Sequence, residues 1–158
     1  SCTNTPLHNE LLGAVIGLAR TCANNPKTDD TDALFFTALR VSANKSANEQ
    51  TLAAMIHRVN EEKSDHLSRL RDLHGTLGNT DNYDMSLLWN APDEIREAKL
   101  SILENAQALA EKLMQTKSEE IPEGIPRLYH ALFMVKEDWD AKPLQELAED
   151  IADCIFIQ

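Results

Sequence analysis

Apolar residues recur at steps of three and four along most of this chain, the spacing that lines one face of an α-helix. In the first segment the stripe is Leu7, Leu11, Val15, Leu18 and Cys22, with Thr5 placed as N-cap and Pro6 at the first helical position. Gly13 and Gly17 lie four residues apart in it, each costing roughly 1 kcal/mol in helix propensity unless close packing requires it. That spacing suits the close approach of a neighbouring helix. "NNPKTDD" ends the segment, and a second helix is predicted from Thr31, with Leu34, Phe35, Ala38 and Leu39 or Val41 turned inward. Ser46 and Glu49 in "SANE" form a capping box that announces the third helix. Its stripe is Leu52, Met55, Ile56 and Val59, resuming at Leu67, Leu70 and Leu73, with Gly75 where a left-handed C-terminal residue is wanted. Between Val59 and Leu67 the stripe turns polar, which predicts a bend or a partly wet seam.

"GTLGNTDNYDMSLLWNAP" is irregular, apart from a short helical turn predicted over Met85, Leu87, Leu88 and Trp89. A long packing helix follows over residues 92–115, with Ile95, Ala98, Ile102, Ala106, Leu109 and Leu113 along its seam. Asp93 and Glu94 complement its dipole. Pro126 opens a helix carrying Leu128, Tyr129, Leu132, Phe133 and Val135; Pro143 opens the last, with Leu144, Leu147, Ile151 and Ile155. No useful stretch alternates with period two, so the fold class is all-α.

The halves repeat one another: a long helix, a helix with an aromatic pair in its first turns, then a leucine-anchored helix. Leu34 to Leu52 spans 18 residues, and Leu128 to Leu147 spans 19. Leu52 and Ile56 thereby correspond to Leu147 and Ile151. The expected architecture is two packed three-helix units, about six main helices, in one helical domain over 1–158. Its subunits are 1–75 and 92–158, joined by a loop at 76–91.

Composition narrows the function. A formal charge of −11 on 158 residues argues against binding phosphate backbones or anionic membranes, both of which call for clustered Lys and Arg. It leaves open an acidic surface that imitates nucleic acid. "SCTNTPLHNE" lacks the basic and apolar regions of a signal peptide, and no run reaches the roughly 18 apolar residues of a membrane span. Cys2, Cys22 and Cys154 follow neither a disulfide framework nor a zinc pattern, so reduced thiols in a cytoplasmic protein are expected.

Candidate chemistry is sparse. His57 with Glu61, and Glu62 with His66, are i, i+4 pairs on the third helix, and His57, Glu62 and His66 are the residues from which a metal site would be drawn. The di-iron Glu-x-x-His motif is missing, and a charged helix face is the plainer reading of both pairs. His66 stands out because it falls in the polar gap. Cys22 and Cys154 sit on apolar stripes and read as core residues. No phosphate loop, dinucleotide fingerprint or nucleophile elbow is present. No cofactor is expected. Trp89 and Trp139 lie in connecting segments, and Phe156 and Ile157 in the ragged "IFIQ" leave the helical stripe; these four are the candidate interface residues.

"ALFFTALRVSANKSANEQTLAAMIHRV" and "DEIREAKLSILENAQALAEKL" resemble the N-terminal helical domain of the hybrid-cluster protein (prismane) and the related nickel carbon monoxide dehydrogenases. The first is similar to that family's phenylalanine-led helix, short connection and long helix; the second to the arginine-containing helix that opens its second bundle. The family's paired cluster cysteines are missing here, so the resemblance implies a stand-alone helical domain without redox chemistry and carries over no functional residue. The resulting expectation is a non-catalytic helical module that binds a protein partner or a second copy of itself.

Overall fold

Residues 11–19 of the first helix are buried without exception, so this element is covered on every side rather than being a surface helix with one apolar stripe. The computed structural model describes residues 6–22, 29–74, 82–116, 121, 123–136 and 140–156, apart from the side chains of 70–74 and 156. Within them lie α1 (Pro6–Cys22), α2 (Asp29–Ala43), α3 (Glu49–His74), α4 (Met85–Trp89), α5 (Asp93–Gln115), α6 (Gly124–Val135) and α7 (Ala141–Phe156), with no strand among the described residues. The all-α expectation holds.

Several helices begin earlier than their signals suggested. Pro126 and Pro143 are each third in their helices, which start at Gly124 and Ala141. A proline fits there because the first N–H groups of a helix have no intrahelical acceptor. Likewise α2 starts at Asp29, leaving Thr31 inside its first turn with its hydroxyl turned to the interior. At the start of α3 the cap is Asn48, whose side-chain oxygen accepts from the Thr51 N–H at 2.8 Å, in place of the Ser46–Glu49 box. Gly75, with the rest of 75–81, lies outside the described residues.

The packing reproduces the repeat. α1, α2 and α3 pack pairwise on one another, as do α5, α6 and α7; α1 against α6 and α2 against α5 join the two sets, and α4 touches α1 and α5. Exchanging α1, α2, α3 for α5, α6, α7 maps this set of neighbours onto itself. Both triplets contribute to one hydrophobic core, where Leu11, Ile16, Phe35, Leu39, Leu52, Ile102, Leu109, Leu128, Leu132 and Leu144 are all but fully buried. Each such side chain contributes about 1.5–3 kcal/mol on removal from water. Polar ties lock the second triplet: Asn105 donates to the Ala148 carbonyl at 2.9 Å, and the Lys112 ammonium caps the end of α7 at the Ile155 carbonyl. The cation there also complements the negative end of the helix dipole. No helix among the described residues is long and apolar enough to cross a membrane.

Candidate functional site

Two places in this bundle hold side chains that packing alone does not explain. The first is the polar gap of α3. His66 is 2% exposed and Thr31 wholly buried, and the two meet at 3.2 Å between Nε2 and the threonine hydroxyl. That hydroxyl donates to Glu62 Oε1 at 2.9 Å, and His66 Nε2 lies 3.3 Å from the same oxygen. Arg58 approaches the other carboxylate oxygen at 3.5 Å. Burial pushes Glu62 upward, but the Thr31 hydrogen bond together with the His66 and Arg58 charges outweighs it, and the carboxyl is held below the usual range. His66 is held low first by burial and then by the nearby Arg69 charge, against the pull of Glu62 and Asp65. At the next residue of α2, Asp32 accepts from the Tyr129 hydroxyl at 2.7 Å, and burial above all keeps that phenol protonated.

The metal reading drew on His57, Glu62 and His66, and only the last two come together. His57 is exposed and pairs with Glu61 at 2.6 Å, since nine residues turn a helix halfway round. No three His, Cys, Asp or Glu side chains among the described residues stand close enough to hold a metal together. Around Glu62 and His66 the third position is filled by the Thr31 hydroxyl, a partner suited to a hydrogen-bonded junction between α2 and α3. His130 is exposed, whereas His8 is buried with Nε2 2.9 Å from the Asn44 carbonyl. Cys22 and Cys154 are core thiols as expected, and Arg127 donates to the Cys154 sulfur at 3.1 Å.

The second place surrounds α4. Asp84 caps this five-residue helix through the Ser86 N–H, and hydrogen bonds from the Ser86 side chain first and its N–H second hold the Asp84 carboxyl low. Met85 and Leu88 are buried beneath it, while Leu87 is 62% exposed on its outer side. Just before the cap, the Tyr83 N–H donates to the Gly13 carbonyl at 3.0 Å. The Tyr83 ring faces α5, where the buried Lys99 ammonium lies 3.4 Å from the phenol oxygen and 5.4 Å from the ring centre. Tyr83 therefore fastens α4 to both α1 and α5.

Clefts open on either side of α4. One, of about 630 Å³, is floored by Leu12, Met85, Trp89, Leu100 and Leu103 and rimmed by His8, Ser42, Lys45, Arg96, Glu104 and Gln107. Trp89 is half-buried there, its indole N–H 3.4 Å from Asn9 Oδ1. The other, of about 390 Å³, is bordered by Tyr83, Leu87, Ile95, Lys99 and Lys136. Of the four candidate interface residues, Trp89 lines a cleft; Trp139, Ile157 and the side chain of Phe156 lie outside the described residues. Sequence reasoning missed Tyr83, Lys99 and Leu87 as a group. For Leu87 alone a signal was available, since Leu87 and Leu88 are adjacent on a short helix and cannot both face the core.

Comparison with protein-family models, with curated proteins and with solved structures finds no match to this chain. The resemblance to the prismane helical domain accordingly rests on apolar patterning alone.

Proposed function

We propose that this protein is a non-catalytic binding module that meets a protein partner, or a second copy of itself, through the α4 surface. The observation that carries this reading is Leu87. It is one of two large apolar side chains that stand exposed among the described residues, the other being Met114, and it rides on a helix pinned at Gly13, Tyr83 and Lys99. With the backbone beneath it fixed, docking Leu87 orders little more than its own side chain and removes that apolar side chain from water. Trp89 on the same helix adds an aromatic whose N–H and ring suit a half-wet contact.

The test places a photo-crosslinking residue at position 87 and, as a control, at Glu149 on α7, each in an otherwise unchanged chain exposed to cell lysate. Alongside it, sedimentation of the wild type and Leu87→Asp reads self-association. Adducts specific to position 87, or dimers lost in Leu87→Asp, support the reading. Equal adducts at both positions, with no effect of Leu87→Asp on sedimentation, would sink it.

A further inference from the structure

The larger cleft beside α4 is polar at one end and apolar along the rest. At the polar end the α2–α3 connection meets α5: the Gln107 amide donates to the Ser42 hydroxyl at 3.1 Å, and His8 binds the carbonyl of Asn44, next to Lys45. Leu12, Trp89, Leu100 and Leu103 continue the lining towards Arg96. Gln107 and Arg96 are eleven residues apart on one helix face, a span of roughly 16 Å. Volume and lining match a small-ligand site, mostly apolar with a few convergent polar groups.

Charge selects the ligand's sign. The chain carries −11, and this lining holds Lys45 and Arg96 beside one carboxylate, Glu104; with Arg96 paired to Asp93, Lys45 is the cation that can meet a ligand. Arg96 is engaged by Asp93 at 2.7 Å and by the Ala91 carbonyl. Lys45 forms neither ion pair nor hydrogen bond among the described residues, and the Ser42 hydroxyl is already donated to the Leu39 carbonyl at 2.6 Å. The donors left at the polar end are the Lys45 ammonium and the second Gln107 N–H, both of which suit an anion. We infer that the cleft binds a small amphiphile whose single anionic head meets Lys45 and Gln107 and whose apolar body lies over Leu103, Leu100 and Trp89. This goes beyond the α4 protein-binding reading: the two share Trp89, but Leu87, which carries that reading, is no part of this cleft's lining.

The test titrates the intact chain with decanoate and, separately, with decyltrimethylammonium, both below their micelle concentrations. Calorimetry gives stoichiometry, and tryptophan fluorescence compared with Trp89→Phe locates the site. The inference expects one decanoate per chain, a fluorescence change lost in Trp89→Phe, and affinity about tenfold or more above that of the cationic probe. Lys45→Glu, an exposed substitution that leaves the fold intact by circular dichroism, is expected to erase that preference, and Glu104→Gln to tighten decanoate. Leu87→Asp is expected to leave decanoate binding unchanged, which separates failure here from failure of the protein-binding reading. Equal or stronger binding of the cationic probe, or no saturable binding of decanoate, overturns the inference.

Discussion

The rings of Phe35 and Tyr129 stack on each other, centroids 4.2 Å apart and planes 14° from parallel. Setting Leu34 against Leu128 in the internal repeat puts these same two residues in register, one per half. Phe35 on α2 and Tyr129 on α6 thus tie the two helical triplets together directly. Both are buried, and each has a second tie: Phe35 packs edge-on to Phe36, and Tyr129 donates to Asp32.

Removing either member should loosen both triplets together. Phe35→Ala is expected to lower unfolding free energy by about 3–5 kcal/mol. Tyr129→Phe keeps the stack but strips Asp32 of its donor, for a loss of about 1–3 kcal/mol. A double-mutant cycle of Phe35→Leu and Tyr129→Leu by chemical denaturation should return a coupling of about 0.5–1.5 kcal/mol. Strict additivity would mean that the rings only happen to lie together.

The Thr31–Glu62–His66 junction predicts a pH dependence with a definite sign. His66 has a folded pKa below its usual 6.5, so between those two values the unfolded chain binds more protons. Its contribution is present above pH 6.5 and lost as pH falls towards the lowered value. Glu62, also depressed, contributes above its usual 4.5 and is lost only in stronger acid. Thermal unfolding of the wild type should therefore shift down between pH 7 and pH 5, and His66→Gln should show a shallower slope over that interval. Parallel slopes for the two proteins would count against a buried neutral His66.

Gly13 is tied to its position by backbone, not by a neighbouring helix. A Cβ there would lie 2.2 Å from the Tyr83 carbonyl oxygen. Gly13→Ala gains about 1 kcal/mol in helix propensity but forces the 82–84 segment off α1, at a cost of about 1–3 kcal/mol for overpacking. The net expectation is destabilisation with faster hydrogen exchange at the Tyr83 amide, whose acceptor is the Gly13 carbonyl. A stabilised variant with unchanged exchange would show that the loop yields easily.

These cases show which features a sequence makes legible. Helices with strong stripes, such as α5 with Ala98, Ile102, Ala106, Leu109 and Leu113, can be read directly because burial follows a period of 3.6. His66 was visible as an interruption of such a stripe. Its partner Thr31 was not, since the two are 35 residues apart and a threonine in a first turn reads equally as a cap. The burial of α1 on every side was half-hidden, because alanines and glycines among its larger residues blur a stripe that does not exist. Tyr83 and Lys99 were missed for the same reason as Thr31: an aromatic in an irregular segment and a lysine on a helix become a pair only through tertiary packing.

The start of α3 offers the sharpest contrast between two readings of one short stretch. A box built on Ser46 and Glu49 places the first helical turn earlier than the observed Glu49, whereas Asn48 accepts the Thr51 N–H and leaves Ser46 exposed, its own N–H donated to Asn44 Oδ1. An asparagine at this position satisfies one of the four unbonded N–H groups of the turn, and its loss typically costs about 1 kcal/mol. Asn48→Ala is expected to lower the unfolding free energy by about that amount, while Ser46→Ala stays within about 0.5 kcal/mol of wild type, as surface changes away from caps do. Denaturant titrations of the two variants decide it. A loss confined to Ser46→Ala would move the helix start back to the sequence box.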